Sequence, residues 1–440
     1  MKCDTIAALA TPPGRGGIGV LRISGPEVAK IATGVLGTLP PPRQAVVRAF
    51  RDADGHVLDT GLALYFQGPA SFTGEDVLEL HGHGGPVVLD LVLGRVLELG
   101  ARAARPGEFT ERAFLNGKLD LTQAEAVADL IDADSPQSAR AAMRSLQGAF
   151  SQAVQALSER LTELRVYVEA ALDFPEEEID FLADSAVAAR LDELDRALCA
   201  VQDQAREGVR LREGLQVVLC GPPNAGKSTL LNRLSGEALA ITSPVPGTTR
   251  DVLRADLQLA GCAVRLLDTA GLRRSRDPVE REGVRRAEAA IADADVVVWL
   301  LDATCGEEAA VAPRVTPGAH LIRVWNKTDL AAPPREALRP EDLCLSAHTG
   351  AGVEALVEAL RSRAVGNTPQ TGVFLARRRH LDALERARRA LVRARGALEL
   401  GPELAAEELR LAQHALGEIT GAVTTEDLLG RIFSSFCIGK

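Results

Sequence analysis

The sequence predicts a multidomain chain: an α+β front domain, an α-helical bundle domain, and a mostly parallel, doubly wound α/β domain inserted into the bundle. Three observations lead there. The 440 residues exceed what a single core supports. The hydrophobic period changes along the chain, from short runs to helical spacing, then to buried-strand runs, then back to helical spacing. A glycine loop, GPPNAGKS, sits between a strand-like run and a helix-like one.

The expected boundaries are 1–117 for the front domain, 118–212 for the first part of the helical domain, 213–368 for the insert and 369–440 for the second helical part. In the front domain GIGVLRIS, GLALYF and DVLELHGHG alternate with Gly/Pro punctuation, and a helical run lies near 86–100. That texture reads as α+β. Next, Val154, Leu157, Leu161, Leu164 and Val168 recur at three and four, as do Leu191, Leu194, Leu198 and Val201, which predicts amphipathic helices of a bundle. Pro175 in DFPEEEI suits a helix start with acids in its first turn. LQVVLC, AVRLLD, DVVVWLLD, LIRVWN and LCLS read as buried parallel strands. After residue 370, Leu384, Leu391 and Leu398 recur at seven.

Composition narrows the function class. Hydrophobic content of 46% and charged content of 25% are ordinary for a globular chain. A net charge of −10 gives no overall field toward nucleic acid or anionic lipid, so any RNA contact must be local. No apolar run is long enough to span a membrane, and the first residues carry no signal-peptide core. Seven scattered cysteines without a C-x-x-C fit a reducing cytoplasm. Only six of the 50 basic residues are lysine, so a surviving lysine hints that a compact ammonium is required.

GPPNAGKS (Gly221–Ser228) fits G-x-x-x-x-G-K-[ST] between a strand and a helix. Backbone N–H groups around Asn224, Ala225, Gly226 and Thr229 would cradle phosphates. Lys227 would reach the outer phosphates and Ser228 would hold Mg2+. Thr248 and Thr249 in PGTTRD stand where a switch threonine belongs, the latter toward Mg2+. Asp268-Thr269-Ala270-Gly271 ends one strand run. Its aspartate can bind Mg2+ through water and Gly271 can donate to a γ-phosphate. Asn326-Lys327-Thr328-Asp329 ends another, where Asp329 accepts from a guanine edge that adenine lacks. Ser346 and Ala347 follow LCLS to support the base. Five motifs in order at strand ends predict a P-loop GTPase domain. Leu272 occupies the position where Ras-type domains orient water with glutamine, so another group must do so.

With these motifs stand DTIAALATPPGRGGIGVLRISG, SFTGEDVLELHGHGG, RPGEFTERAFLNGKLDLTQAEAVADLI and the ending FCIGK. Taken together the chain resembles the bacterial MnmE (TrmE) family of tRNA-modification GTPases over essentially its whole length. The resemblance implies a cytoplasmic homodimer working with the flavoprotein MnmG (GidA), which carries the FAD. The product implied is (carboxymethyl)aminomethyl-uridine at the tRNA wobble position. It implies a front domain that binds a 5-formyl or methylene tetrahydrofolate derivative through Arg22, Glu79, Lys118 and Lys440. It further implies K+ held by Asn224, Ser243, the Val245 carbonyl and Thr248, and a water-orienting Glu280. Phe433, Phe436 and Ile438 are apolar enough to dock the chain end on the protein, and Cys437 there is either a small buried hydrophobe or a functional thiol beside the folate. The chain departs from the family at Pro222, where arginine is usual, and at Pro246, where alanine is usual, with Pro244 close by. Proline fixes φ and removes an N–H there.

Two further readings stay open. A switch GTPase of ribosome assembly shares the same nucleotide motifs. The basic run from Leu375, LARRRHLDALERARRALVRAR, is either a solvated face with i, i+4 pairs or an RNA surface. A prenyl signal at CIGK is poor, since lysine ends it and no polybasic stretch precedes it.

Overall fold

The computed structural model describes residues 4–133, 135–173, 185–237, 254–259, 262–268, 291, 294–305, 313, 315, 319–365, 373–398 and 401–439. By contact density the chain divides into two compact units. The first comprises Met1–Ala128, Ser145–Val201 and Asp382–Lys440, and the second Asp129–Arg144 and Gln202–Leu381.

The first unit opens with β1 (Ile6–Leu9), β2 (Gly19–Ser24), α1 (Val28–Leu36), β3 (Val46–Arg51), β4 (Val57–Phe66), β5 (Val77–Gly82), α2 (Pro86–Glu98), β6 (Arg102–Ala103) and α3 (Glu108–Leu115). Its six strands run in the order β3-β4-β5-β2-β1-β6. All pairings are antiparallel except β1 with β6. Period-two alternation sends Leu21, Ile23, Leu78 and Leu80 to one face, where Val28, Ile31, Val35, Val92 and Val96 of α1 and α2 cover them. On the other face Ile6 and Ala8 pack with Ala104 and with Phe109 of α3. Of these strands, β1, β3 and the two-residue β6 were not expected. The first is four residues long, and the second breaks its apolar pattern with Arg48 and Arg51, so neither carries a strong period.

The helices of this unit include α4 (Leu121–Ile131), which begins in it, α6 (Ala149–Asp173), the first part of α7 (Ser185–Glu213), most of α10 (Arg378–Ala397), α11 (Pro402–Thr420) and α12 (Glu426–Phe433). The predicted stripe Val154–Val168 is buried, as are Leu191, Leu194 and Leu198 of the second, whose last member Val201 is half-buried. Helix α6 lies along α11, where Gln413 donates to Thr162 Oγ1 at 2.8 Å and accepts from Arg165. Pro175 and its expected helix start lie outside the described residues.

The arginines of the basic run are largely exposed, as a solvated face requires, but their pairing is not mainly the expected i, i+4 one. Its arginines pair mainly across helices: Arg386 with Glu418 and Arg393 with Glu408 on α11, Arg388 with Asp195 and Arg395 with Asp192 on α7. Arg389 with Glu385 forms an i, i+4 pair within the helix. The partners lie far away in sequence, so i, i+4 spacing could not reveal them.

The second unit holds the end of α7, α5 (Pro136–Leu146), β7 (Leu215–Cys220), α8 (Lys227–Glu237), β8 (Arg254–Leu259), β9 (Cys262–Asp268), β10 (Val296–Asp302), β11 (His320–Asn326), β12 (Leu343–Cys344) and α9 (Val353–Val365). The sheet order is β12-β11-β10-β7-β9-β8, parallel except for β8 against β9. Strand β10 is buried throughout, as its continuous apolar run predicts. Arg212 and Arg377 both reach Asp129 at 2.8 Å, and Leu130, Ala141, Ala142, Leu211 and Leu375 pack beside them.

Charge also anchors α3 in the first unit. Glu108, 3% exposed at its side chain, accepts from Arg102 at 2.5 Å, from the Arg105 N–H at 2.8 Å and from Arg112 at 3.3 Å. Arg112 continues to Glu75 at 3.0 Å and Asp4 at 2.9 Å. Burial works against ionisation here, but Arg102, the Arg105 N–H and Arg112 outweigh it and hold the Glu108 carboxyl at about 2. Its folded pKa is depressed, so this stabilisation is present above the ordinary value of 4.5 and is lost as pH falls from there toward 2. Glu108→Ala leaves two guanidiniums short of an anion and is expected to cost about 3 kcal/mol, the low end for a broken buried pair because Arg102 is partly solvated. Hydrogen exchange of the β1 and α3 amides checks both statements. Protection unchanged by the substitution, or flat between pH 5 and 2.5, would contradict them.

Candidate functional site

Two sites emerge, one in each unit. In the second unit the motif residues converge because parallel strands place their carboxyl ends at one edge. The loop after β7 leads into the N-terminus of α8, whose unsatisfied N–H groups suit phosphate. Gly221, Asn224 and Gly226 have φ of 150°, 63° and 94°, and these left-handed turns bend the loop back over the strand end. A Cβ on Gly226 would stand 2.3 Å from Asn326 Nδ2, so glycine is required there.

Asn326 ties this loop to the others. Buried at the end of β11, it donates to the Ala225 carbonyl at 2.7 Å and accepts from the Ala347 N–H at 2.8 Å. Arg233 of α8 adds a bond to the Ala347 carbonyl at 2.7 Å. Ser346 Oγ accepts from the Thr349 N–H at 3.1 Å, which fixes the turn. Lys327, at φ 64°, meets Asp302 of β10 at 2.6 Å. Burial opposes the Asp302 charge, yet Lys327 and Thr304 keep its carboxyl below the usual carboxylate range. Asp329 is exposed beyond the strand end. Lys227 Nζ rests on the Gly221 and Pro222 carbonyls at 3.1 and 3.0 Å. Asn224, Ser228 and Thr229 are exposed around it, whereas Ala225 is buried. Burial pushes the Cys220 thiol beneath the loop up to about 12, which leaves it inert packing.

The residues given there thus include Asn224, Ala225, Gly226, Lys227, Ser228, Thr229, Asn326, Lys327, Asp329, Ser346 and Ala347. Asp268 is described only as the last residue of β9. Ser243, Val245, Thr248, Thr249, Thr269, Ala270, Gly271, Leu272 and Glu280 lie outside the described residues. Sequence motifs did not single out Asp302 or Arg233. Asp302 ends a strand run, which was the available signal, while Arg233 carried none.

In the first unit β2 and β5 align Arg22 with Glu79, on the sheet face opposite α1 and α2. Arg22 Nε donates to Glu79 Oε1 at 2.9 Å, and His81 Nε2 lies 3.1 Å from Glu79 Oε2. Lys118 Nζ donates to the Pro69 carbonyl at 3.0 Å, on the loop that leads to Phe72. The chain end docks nearby. Phe433 and Phe436 are buried with Phe114 and Leu121. The Cys437 carbonyl accepts from the Gly107 N–H at 3.3 Å, and a Cβ on Gly439 would stand 2.2 Å from the Leu9 carbonyl. Leu9 follows Ala8, the β1 residue in register with Arg22. The Cys437 residue itself is exposed, which removes its reading as a small buried hydrophobe. Ile438, at 60% exposure, is not part of the apolar dock. Lys440 lies outside the described residues. His81 was missed by sequence reasoning, although the spacing Glu79-x-His81 on a strand puts both on one face.

The chain matches the family model described as GTP-binding protein TrmE N-terminus over residues 5–118, and that described as MnmE helical domain over residues 121–437. It is 54% identical over 446 residues to the tRNA modification GTPase MnmE of Methylococcus capsulatus, covering 99% of each chain. It is 58% identical over 448 residues to the namesake from Alkalilimnicola ehrlichii, covering 100% of each. Among solved structures, a variant of Aquifex aeolicus Era bound to GDP and AlF4− is 26% identical, over 40% of this chain and 65% of that one, with a TM-score of 0.27.

Asn326→Ala removes both of its bonds and leaves the Ala225 carbonyl and Ala347 N–H unpaired. A loss of about 2 kcal/mol in guanine-nucleotide binding is expected, near thirtyfold. Titration with a fluorescent GDP analogue measures it, and an unchanged Kd would mean the loops hold each other without this amide.

Proposed function

The chain belongs to the MnmE family of tRNA-modification GTPases, and from that premise we propose that its GTP hydrolysis serves folate- and flavin-dependent modification of the wobble uridine of tRNA. The observation that carries the reading is the coexistence in one chain of the guanine-nucleotide loops tied by Asn326 and a front unit where Arg22, Glu79 and the docked chain end lie on neighbouring strands. The ribosome-assembly alternative accounts for the first and not for the second.

On this reading the residues act as follows. Asp329 selects guanine by accepting from its two N–H groups. Lys227 leaves the Gly221 and Pro222 carbonyls to pair with the outer phosphates, and the α8 N-terminus donates N–H groups to them. Gly226, at φ 94° and without a side chain, lets the loop backbone come close to a phosphate. Mg2+ would be held by Ser228 and Thr249, with Asp268 acting through water. K+ would be held by Asn224, Ser243, the Val245 carbonyl and Thr248. When bound, these ions supply positive charge to the transferring phosphoryl oxygens. Glu280 orients the attacking water in place of the glutamine that Leu272 replaces.

In the front unit the Arg22–Glu79 pair is half-buried and offers donors and an acceptor to a polar heterocycle edge. A tetrahydrofolate derivative bound by Arg22, Glu79, Lys118 and Lys440 would supply a one-carbon unit. The exposed Cys437 thiol, on a tail held by Phe433 and Phe436, acts next to it. The chain works as a homodimer with the flavoprotein MnmG in the cytoplasm. Among the described residues no helix is long and apolar enough to cross a membrane.

Liquid-chromatography analysis of tRNA nucleosides from a strain deleted for the chain is expected to lose the modified wobble uridine. Complementation with Cys437→Ser is expected not to restore it, although that protein folds and hydrolyses GTP. Normal modification by the serine variant would remove the thiol from the mechanism. Separately, GTP turnover at equal ionic strength is expected to be at least about tenfold faster in KCl than in NaCl, the effect of about 1.4 kcal/mol of transition-state stabilisation. Equal rates would show that Pro244 and Pro246 have abolished the potassium loop.

A further inference from the structure

We propose that Phe72 is the stacking surface for the planar ring of the bound folate, beside the Arg22–Glu79 pair. The assignment rests on the folate reading above and adds a residue that determines specificity at that site.

The loop between β4 and β5 carries Phe72. It is clamped on both sides of Phe72. Gly68 N donates to Asp76 Oδ1 at 2.9 Å, Ser71 Oγ donates to the Glu75 carbonyl at 2.5 Å, Thr73 Oγ1 meets Ser24 Oγ at 2.7 Å and Asn116 Nδ2 donates to the Thr73 carbonyl at 2.7 Å. Lys118 holds the Pro69 carbonyl at its start. A backbone bound this firmly has no need of an apolar anchor, and the Phe72 ring is not one: it is 39% exposed. The rigid loop presents it to solvent.

The ring is also placed against specific chemistry. Its centroid lies 5.8 Å from Arg22 Cζ, and Phe109, fully buried, lies 5.8 Å from the same carbon. The guanidinium therefore has an aromatic neighbour in the core and another at the surface. Arg22 Nε is engaged by Glu79 Oε1, and Glu79 Oε2 by His81. The two terminal amino groups of Arg22 have no hydrogen-bond partner among the described residues. A fixed aromatic face thus stands beside two available N–H donors and a carboxylate. That combination suits a flat heterocycle with carbonyl and ring-nitrogen acceptors on its edge, stacked face to face on phenylalanine. In a tetrahydrofolate the pyrimidine half of the pterin stays planar and carries those acceptors. The acidic tail then runs along the loop toward the Lys118 ammonium.

The competing occupant of an exposed ring is a second copy of the chain. Ile18, Val47 and Leu62 are exposed apolar residues of the same front unit, so Phe72 could instead fill a protein interface. Ring stacking predicts a dependence on aromatic character, whereas interface filling predicts a dependence on assembly.

The test is calorimetric titration of the full-length protein with 5-formyltetrahydrofolate, alongside sedimentation velocity. Phe72→Ala is expected to raise Kd about tenfold or more, in the range found for losing one aromatic stacking partner. Phe72→Trp, which keeps the face, is expected to stay within about threefold of the parent. Both variants are expected to sediment as the parent does. A Phe72→Ala protein that binds as the parent does overturns the assignment, as does a loss that appears only with dissociation of the dimer. If the parent itself takes up no 5-formyltetrahydrofolate, the folate reading falls and this assignment with it. If the parent binds and Phe72→Ala binds equally well, this assignment alone falls.

Discussion

The buried Glu108 carboxylate and the arginines around it are the constraint on which the front unit depends. Helix α3 is only eight residues long, too short to be stable by itself. It keeps its place because Glu108 and Arg112 connect it to Arg102 on β6, to Asp4 before β1 and to Glu75 before β5. Three consequences follow from one helix. Phe109 is set under the guanidinium of Arg22. The Gly107 N–H is presented to the Cys437 carbonyl. Glu75, held by Arg112 on one side and bonded to Ser24 on the other, fixes the loop that carries Phe72. A network of charges buried this deeply is stabilising only while every member is partnered, so the geometry of the site is as rigid as the network is complete.

The nucleotide unit solves the same problem with a neutral group. A parallel sheet delivers several loops to one edge but does not hold them to each other. The Asn326 side chain joins the loops after β7 and β12 through one donor and one acceptor, and Arg233 secures the second of them from α8. Because these bonds lie at strand ends in a buried setting, breaking one leaves an unsatisfied backbone group rather than a solvated one. This is why an asparagine, and not merely a polar residue, belongs at the start of that motif.

Arginine abundance has a related explanation. With 60 acidic and 50 basic residues, most of them arginine, the chain has the means to lace helices together. Pairs such as Arg388–Asp195 and Arg393–Glu408 span 193 and 15 residues of sequence, so the basic stretch of α10 reads as cationic in isolation and as charge-balanced in the fold. Exposed pairs of this kind each contribute little; their effect is on which partners the helix faces.

Much was legible in the sequence because it rests on local spacing. The helical stripes of α6, α7 and α10, the buried runs of β7, β10 and β11, and the glycine loop before α8 follow from period and turn chemistry within a dozen residues. The guanine-nucleotide motifs and the family resemblance are equally local, since each is a contiguous string. What only the tertiary structure decided are contacts between distant strings. Examples are the edge strand β3, whose charged residues hide its pairing, the interhelical partners of the α10 arginines, and the exposure of Cys437 despite its apolar neighbours. Phe72 belongs to the same class. Its identity is plain in SFTGED, but only the clamped loop shows that its ring faces outward beside Arg22. The physical reason is common to all of them. Period and propensity act through neighbours along the chain, whereas burial, ion pairing and orientation depend on residues that folding alone brings within a few ångströms.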